Sequence, residues 1–177
     1  MNLPARLLLI LPLAIAGWAA RCPAVEVGAT FPAVSLTGDP GAAALSLEGK
    51  VRIVDFWATW CAPCKASFRA YRRLSADYAA KGLLIVAVSV DDDPDAYAAF
   101  VSKVAPPFAV VRDLSHALVG RVEVPTMPTS YLVDRHGRIR YIHSGYHGAQ
   151  TEQDLRREVD QLLAERYPAT QCDVSPP

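Results

Sequence analysis

Residues 51–65 read VRIVDFWATWCAPCK, and this stretch decides the fold. Val51 to Trp57 is apolar except for Arg52 and Asp55, the composition of a buried strand. From Ala62 to Lys81, Phe68, Tyr71, Leu74 and Tyr78 recur at three- and four-residue steps, with Arg69, Arg72, Arg73 and Asp77 between them. That spacing predicts a helix with one apolar face. At the junction stands Cys61-Ala62-Pro63-Cys64, and a C-x-x-C pair between strand and helix is a redox signal. Cys61 would sit at the helix N-terminus, where unpaired N–H groups and the helix dipole favour a thiolate. Cys64 follows one turn later, within reach of a disulfide and beneath it. Pro63 falls in the first turn, where its missing N–H is harmless. An exposed Cys61 thiolate can attack a substrate disulfide, and Cys64 can then resolve the mixed disulfide.

Two other readings of the pair follow from residue chemistry. A zinc site needs four ligands as a rule. Cys22 and Cys172 are isolated, and His116, His136, His143 and His147 form no paired pattern, so no metal is expected. The other reading is a structural disulfide without turnover. Asp91-Asp92-Asp93 lacks the Gly and Glu of a calcium loop and reads as a strand exit and helix cap.

Outward from the junction, Gly82 is a candidate helix stop. Leu83 to Val90 (LLIVAVSV) is apolar enough for a central parallel strand. Pro94 opens a helix with Tyr97, Phe100, Val101 and Val104 on one side, and Pro106-Pro107 ends it. Phe108 to Val111 is a short strand. Thr129 to Val133 and Arg138 to His143 form a hairpin about Asp134-Arg135-His136-Gly137. A last helix runs from Thr151 to about Tyr167, with Leu155, Val159, Leu162 and Leu163 apolar. Before the junction, residues 22–50 form a lead-in with a short apolar stretch from Phe31 to Leu36. This order implies an α/β fold with a central mixed β-sheet and helices on both faces.

The whole chain has 177 residues, 51% of them hydrophobic and 20% charged, which suits one ordinary domain and excludes disorder. Eighteen Lys and Arg balance eighteen Asp and Glu, so no global field would hold nucleic acid. A monomer is expected. Residues 3–20 (LPARLLLILPLAIAGWAA) carry Arg6, a short apolar run and small residues before Cys22. Residues 1–20 therefore read as a signal peptide or an uncleaved N-terminal anchor. Export implies an oxidising, periplasmic or other extracytoplasmic compartment. Residues 25–167 form the domain, and 168–177 a polar, Pro-rich tail.

Cys22 and Cys172 flank the domain. Chain ends often lie close together in compact domains. A structural disulfide between them would close a very long loop, worth ~4–5 kcal/mol by loop entropy. Lipidation of Cys22 is the alternative, although Arg21 is a poor residue to precede a lipidated cysteine.

The stretch from Val54 to Cys64, with its phrase FWATWCAPC, resembles the active site of the thioredoxin superfamily, and within it the exported TlpA/ResA-type thiol–disulfide oxidoreductases. Met127-Pro128-Thr129-Ser130-Tyr131-Leu132-Val133-Asp134 resembles the segment of that family that carries a cis-proline, and LSLEGKV at 45–51 is a third match. The resemblance spans roughly residues 27–165. It implies a thioredoxin-like fold with an N-terminal extension and an inserted βα unit. It implies that Pro128 is cis beside the cysteine pair, and that Met127 offers its backbone to an extended substrate peptide. Trp60, just before the first cysteine, is expected at the rim, where it contacts substrate.

A carboxylate in a buried strand is costly without a function or a partner. By the resemblance, Asp55 exchanges a proton with the resolving thiol of Cys64, its pKa raised by burial. A paired structural Asp is the alternative. One departure is Ser67, which stands where many relatives carry Glu, so no role of that carboxylate transfers. The cations Arg69, Arg72 and Arg73 read as a solvated helix face.

The expected function is thiol–disulfide exchange on protein disulfides, in the reductive direction. The resemblance implies a membrane-bound thiol electron donor and a place in cytochrome c maturation. No cofactor is required beyond the Cys61–Cys64 pair. A peroxiredoxin-like peroxidase is disfavoured, since that chemistry wants Thr three residues before the reactive Cys, and position 58 is Ala. A non-catalytic thioredoxin-fold binding or chaperone domain would not need both cysteines.

Overall fold

The computed structural model describes residues 25–33 and 47–167. The elements are β1 (Val51–Trp57), α1 (Ala62–Tyr78) with a 3-10 turn at Ala79–Lys81, β2 (Leu83–Ser89), α2 (Pro94–Val104), β3 (Ala109–Arg112), α3 (Ala117–Val122), β4 (Thr129–Val133), β5 (Ile139–Ser144) and α4 (Ala149–Ala164). Five strands form one mixed sheet in the order β3-β2-β1-β4-β5. β1, β2 and β3 are parallel, and the β4–β5 hairpin is antiparallel. This is the expected thioredoxin-like α/β sheet.

β1 lies at the centre, and its alternation assigns the two faces. Ile53, Asp55 and Trp57 face α1. Arg52, Val54 and Phe56 face the other way, where Phe56 meets Tyr131 edge-on and Tyr131 meets Phe31. The N-terminal segment reaches that second face. Thr30 bridges to Arg138, and Arg121 of α3 donates to the Ala33 carbonyl. On the first face Trp57 packs on Phe68 of α1 and Phe100 of α2. α4 is tied to α1 by Arg73–Glu152, Arg156–Asp77 and Tyr78–Asp160 contacts.

The turns follow from local chemistry. Gly82 ends the 3-10 turn at φ +104, a left-handed conformation in which a Cβ is strained. Buried Asp134 accepts from the backbone N–H groups of His136 and Arg138 and so builds the hairpin turn. Asp93 caps α2 by accepting from Asp95 and Ala96.

Several local features differ from expectation. The last helix begins two residues earlier and ends three residues sooner, at Ala149–Ala164 rather than Thr151 to about Tyr167. α1 gives way to the 3-10 turn three residues early. α3 is a helix of six residues, too short to show a period. The arginines are not simply a solvated face: Arg73 pairs with Glu152, and Arg72 donates to the carbonyl of Val104 at 2.6 Å. Positions 1–20, Cys22, Cys172 and residues 168–177 lie outside the described residues. So do the proposed signal peptide, the Cys22–Cys172 bridge and the tail.

Candidate active site

The site forms where β1 hands the chain to α1. Cys61 is the N-cap of α1, and its sulfur accepts from the Cys64 N–H at 3.2 Å. Cys61 and Cys64 are joined in a disulfide with their Cα atoms 5.3 Å apart. Cys64 is wholly buried. Cys61, expected to be exposed, shows only 5% of its surface in this oxidised state. The bond and the Cys64 N–H hold its sulfur against the first helical turn. Trp60, next to Cys61 in sequence, is 70% exposed, while Phe56 and Trp57 are core.

The loop that carries Trp60 and Cys61 is anchored from below. Asp91, only 4% exposed, accepts from the Thr59 N–H at 2.9 and 3.0 Å and from its hydroxyl at 2.7 Å. Ser89, at the end of β2, donates to the same carboxylate at 2.7 Å. The sequence presents Asp91 as one of three similar aspartates. Only the pairing of β1 with β2 brings it to Thr59, 32 residues away.

The Met127–Pro128 peptide bond is cis, as the resemblance implied. Its placement follows from register. Thr129 pairs with Phe56, so Pro128 lies one residue nearer the C-terminal end of β1, the end that leads to Cys61. Pro128 is buried, Met127 is half-buried, and the Gly145 N–H donates to the Pro128 carbonyl at 2.7 Å.

Asp55 is fully buried. Its Oδ1 accepts from the phenol of Tyr71 at 2.7 Å and from the hydroxyl of Ser130 at 2.8 Å. Burial raises its pKa to about 7, and the two hydroxyl donors oppose that rise. Sequence reasoning misses these partners: helical spacing marks Tyr71 only as a core-facing position, and Ser130 lies 75 residues away. Ser67 is also buried and donates to the Cys64 carbonyl at 2.8 Å.

A cleft of about 260 Å³ opens between α1 and α2, lined by Lys65, Phe68, Arg69, Arg72, Phe100 and Val104. Neither cysteine lines it, so it is separate from the reacting sulfurs. Among the described residues no group of three or more His, Cys, Asp or Glu is placed to hold a metal ion. No helix among them is long and apolar enough to cross a membrane.

Fold and site together define a thioredoxin-fold protein built around a C-x-x-C disulfide. The family model Redoxin matches residues 26–159, and the chain belongs to that family. Thiol-disulfide oxidoreductase ResA of Oceanobacillus iheyensis is 37% identical over 99 residues, covering 56% of this chain and 52% of the relative. The match thus spans about half of that relative's length. ResA of Geobacillus kaustophilus is 28% identical over 141 residues, covering 78% and 79%. Among solved structures, a Chlorobium tepidum chain described as a putative thiol:disulfide interchange protein, DsbE, has a TM-score of 0.70 at 30% identity, covering 79% of this chain and 99% of that one.

Proposed function

We propose that this protein is a thiol–disulfide oxidoreductase that acts on disulfides of other proteins, working as a reductase. The observation that carries the reading is the Cys61–Cys64 disulfide at the N-terminus of α1, with its first sulfur capping the helix. An N-terminal helix position stabilises a thiolate on Cys61 once the disulfide is reduced. That thiolate attacks one sulfur of a substrate disulfide, and the other substrate sulfur leaves with the electron pair and takes up a proton. Cys64 then loses its proton and attacks the Cys61 sulfur. The second substrate thiol departs and the Cys61–Cys64 disulfide reforms. Two electrons and two protons pass to the substrate, so a dithiol donor must restore the pair.

In this reading Asp55 takes the proton of Cys64. A buried carboxyl with a pKa of about 7 suits that exchange near neutral pH. Met127 and Pro128 present backbone to an extended substrate segment, and Trp60 packs against it. The ResA relatives support the reaction class. In this reading residues 1–20 serve as an export signal or an uncleaved anchor, and the enzyme works outside the cytoplasm. Its donor is then a membrane-bound thiol protein, and cytochrome c maturation is the proposed setting. The domain spans 25–167 and acts as a monomer. The proposal includes a structural disulfide between Cys22 and Cys172, both of which lie outside the described residues.

The test is reduction of insulin disulfides by the pre-reduced protein, with Cys61→Ser as control, together with the reduction potential of the pair. Activity lost in Cys61→Ser and a potential below about −250 mV support a reductase. Activity indifferent to Cys61→Ser ends the reading, and a potential near about −120 mV reverses its direction.

A further inference from the structure

The groups around Asp55 are hydroxyls rather than cations. On β2 its neighbour is Ala87, and on β4 it is Ser130. α1 contributes Tyr71, and α2 turns Tyr97 and Phe100 toward Trp57 instead. Further along the same cross-strand row, His143 of β5 pairs with Glu158 of α4 at 2.6 Å. The hydroxyls of Tyr71 and Ser130 both reach Oδ1 and lie 2.7 Å from each other. Oδ2 is buried with no hydrogen-bond partner among the described residues. Ser67, one turn before Tyr71 on α1, donates to the Cys64 carbonyl. Tyr71 thus joins the carboxyl to the same helix that carries the resolving cysteine.

Hydroxyls differ from a cation in one useful way. A hydroxyl rotates, so it can donate or accept. With Asp55 ionised, both hydroxyls donate to Oδ1. With Asp55 neutral, one can turn to its neighbour and the network stays bonded. A buried cation would instead hold the carboxylate ionised. Without donors, a carboxyl this deeply buried would stay neutral and be no base.

We propose that Tyr71 and Ser130 are positioning residues: they hold Oδ1 of Asp55 and leave Oδ2 as the atom that accepts the proton of Cys64. This rests on the reading of Asp55 given above. In the step, the Cys64 S–H proton passes to Oδ2 and the Cys64 thiolate attacks the Cys61 sulfur. The bond between Cys61 and the substrate breaks, and the substrate sulfur leaves with the electron pair and takes a proton from water. Asp55 later returns its proton to solvent. Donors on Oδ1 stabilise the ionised carboxyl more than the neutral one, so removing either raises its proton affinity.

The experiment follows the Asp55 carboxyl by ¹³C NMR against pH in the oxidised protein, with the pH profile of insulin reduction measured in parallel. The variants are Tyr71→Phe, Ser130→Ala, Ser130→Thr and Asp55→Asn. Tyr71→Phe and Ser130→Ala should each move the Asp55 titration, and the rising limb of the rate, upward by about one pH unit, a tenfold change in proton affinity. Ser130→Thr keeps the hydroxyl and should restore both. A structural role alone would lower stability and leave the titration in place, and that result overturns the proposal. Asp55→Asn separates the two levels. If it abolishes the limb while Tyr71→Phe and Ser130→Ala leave the limb of the unmodified protein, the hydroxyl proposal fails alone. If Asp55→Asn keeps the limb, the reading of Asp55 fails and this one with it. Should Tyr71→Phe not fold, the Ser130→Ala and Ser130→Thr pair decides.

Discussion

Helix α1 carries two polar networks, and the same chemical group behaves oppositely in them. Beneath the helix Asp55 is sealed among apolar residues and two hydroxyls, and burial raises its pKa to about 7. On the outer side Glu152 of α4 meets the guanidinium of Arg73, with Arg156 beside it, and its pKa falls to about 2. Hydrogen bonding by a cation dominates there, and desolvation dominates at Asp55. The outer network ties α1 to α4 and has nothing to titrate near neutral pH. The inner one links β1, β4 and α1, two of which meet at the redox pair, and it changes charge in the range where thiols exchange. Charge pairing fixes a proton state, whereas neutral donors in a dry site leave it free to change.

The largest expected effect breaks the inner region outright. Cys64→Ser should trap substrate as a mixed disulfide on Cys61, visible on non-reducing gels, with turnover falling more than about 100-fold. Release of substrate at the unmodified rate would remove Cys64 as the resolver.

Asp55→Asn sharpens the contrast in both activity and stability. Turnover at neutral pH should fall about 10²-fold. The stability effect has a defined sign. A carboxyl whose pKa rises on folding contributes stability that is complete below its ordinary value near 3.8 and is lost as pH rises through about 7. The oxidised Asn variant should escape that loss. Relative to the unmodified protein it should gain between pH 4 and pH 8, by at most about 4 kcal/mol at 1.36 kcal/mol per pKa unit. Urea melts at the two pH values measure this, and a pH-independent difference would contradict a neutral buried Asp55.

Asp91→Asn addresses the anchor of the Trp60–Cys61 loop. An amide cannot accept with both ends, so one bond from Thr59 or Ser89 is lost, at about 1–3 kcal/mol. Chemical denaturation gives the loss, and faster amide exchange at Thr59 shows where it falls.

The smallest effect belongs to the outer network. Glu152 has a depressed pKa, so its contribution is present above its ordinary value near 4.5 and is lost as pH falls toward about 2. Arg73 is more than half exposed, so screening limits this contribution to under about 1 kcal/mol. Glu152→Gln should lower stability by that amount at pH 7, by less in high salt, and leave turnover unchanged.

Part of the fold and site is legible in the amino-acid order alone. The bounds of β1 and β4 follow from apolar runs bounded by turn chemistry, and the redox pair follows from C-x-x-C at a strand–helix junction. α3 is not legible, because six residues are fewer than two turns and show no period. The anchor at Asp91 and the partners of Asp55 are not legible either. Tyr71 reads as one more apolar position, and only its hydroxyl, beyond the ring, takes part.

The sequence by itself determined the order of the elements other than α3, the two cysteines and their helix N-terminus, because those depend on contacts a few residues apart. Tertiary structure alone decided which oxygen atoms surround Asp55, which aspartate of three holds the loop, and that Cys61 is covered in the oxidised state. The physical reason is distance along the chain. Strand register joins residues 32 and 75 positions apart, and the desolvation it produces sets the proton affinity of the buried carboxyl.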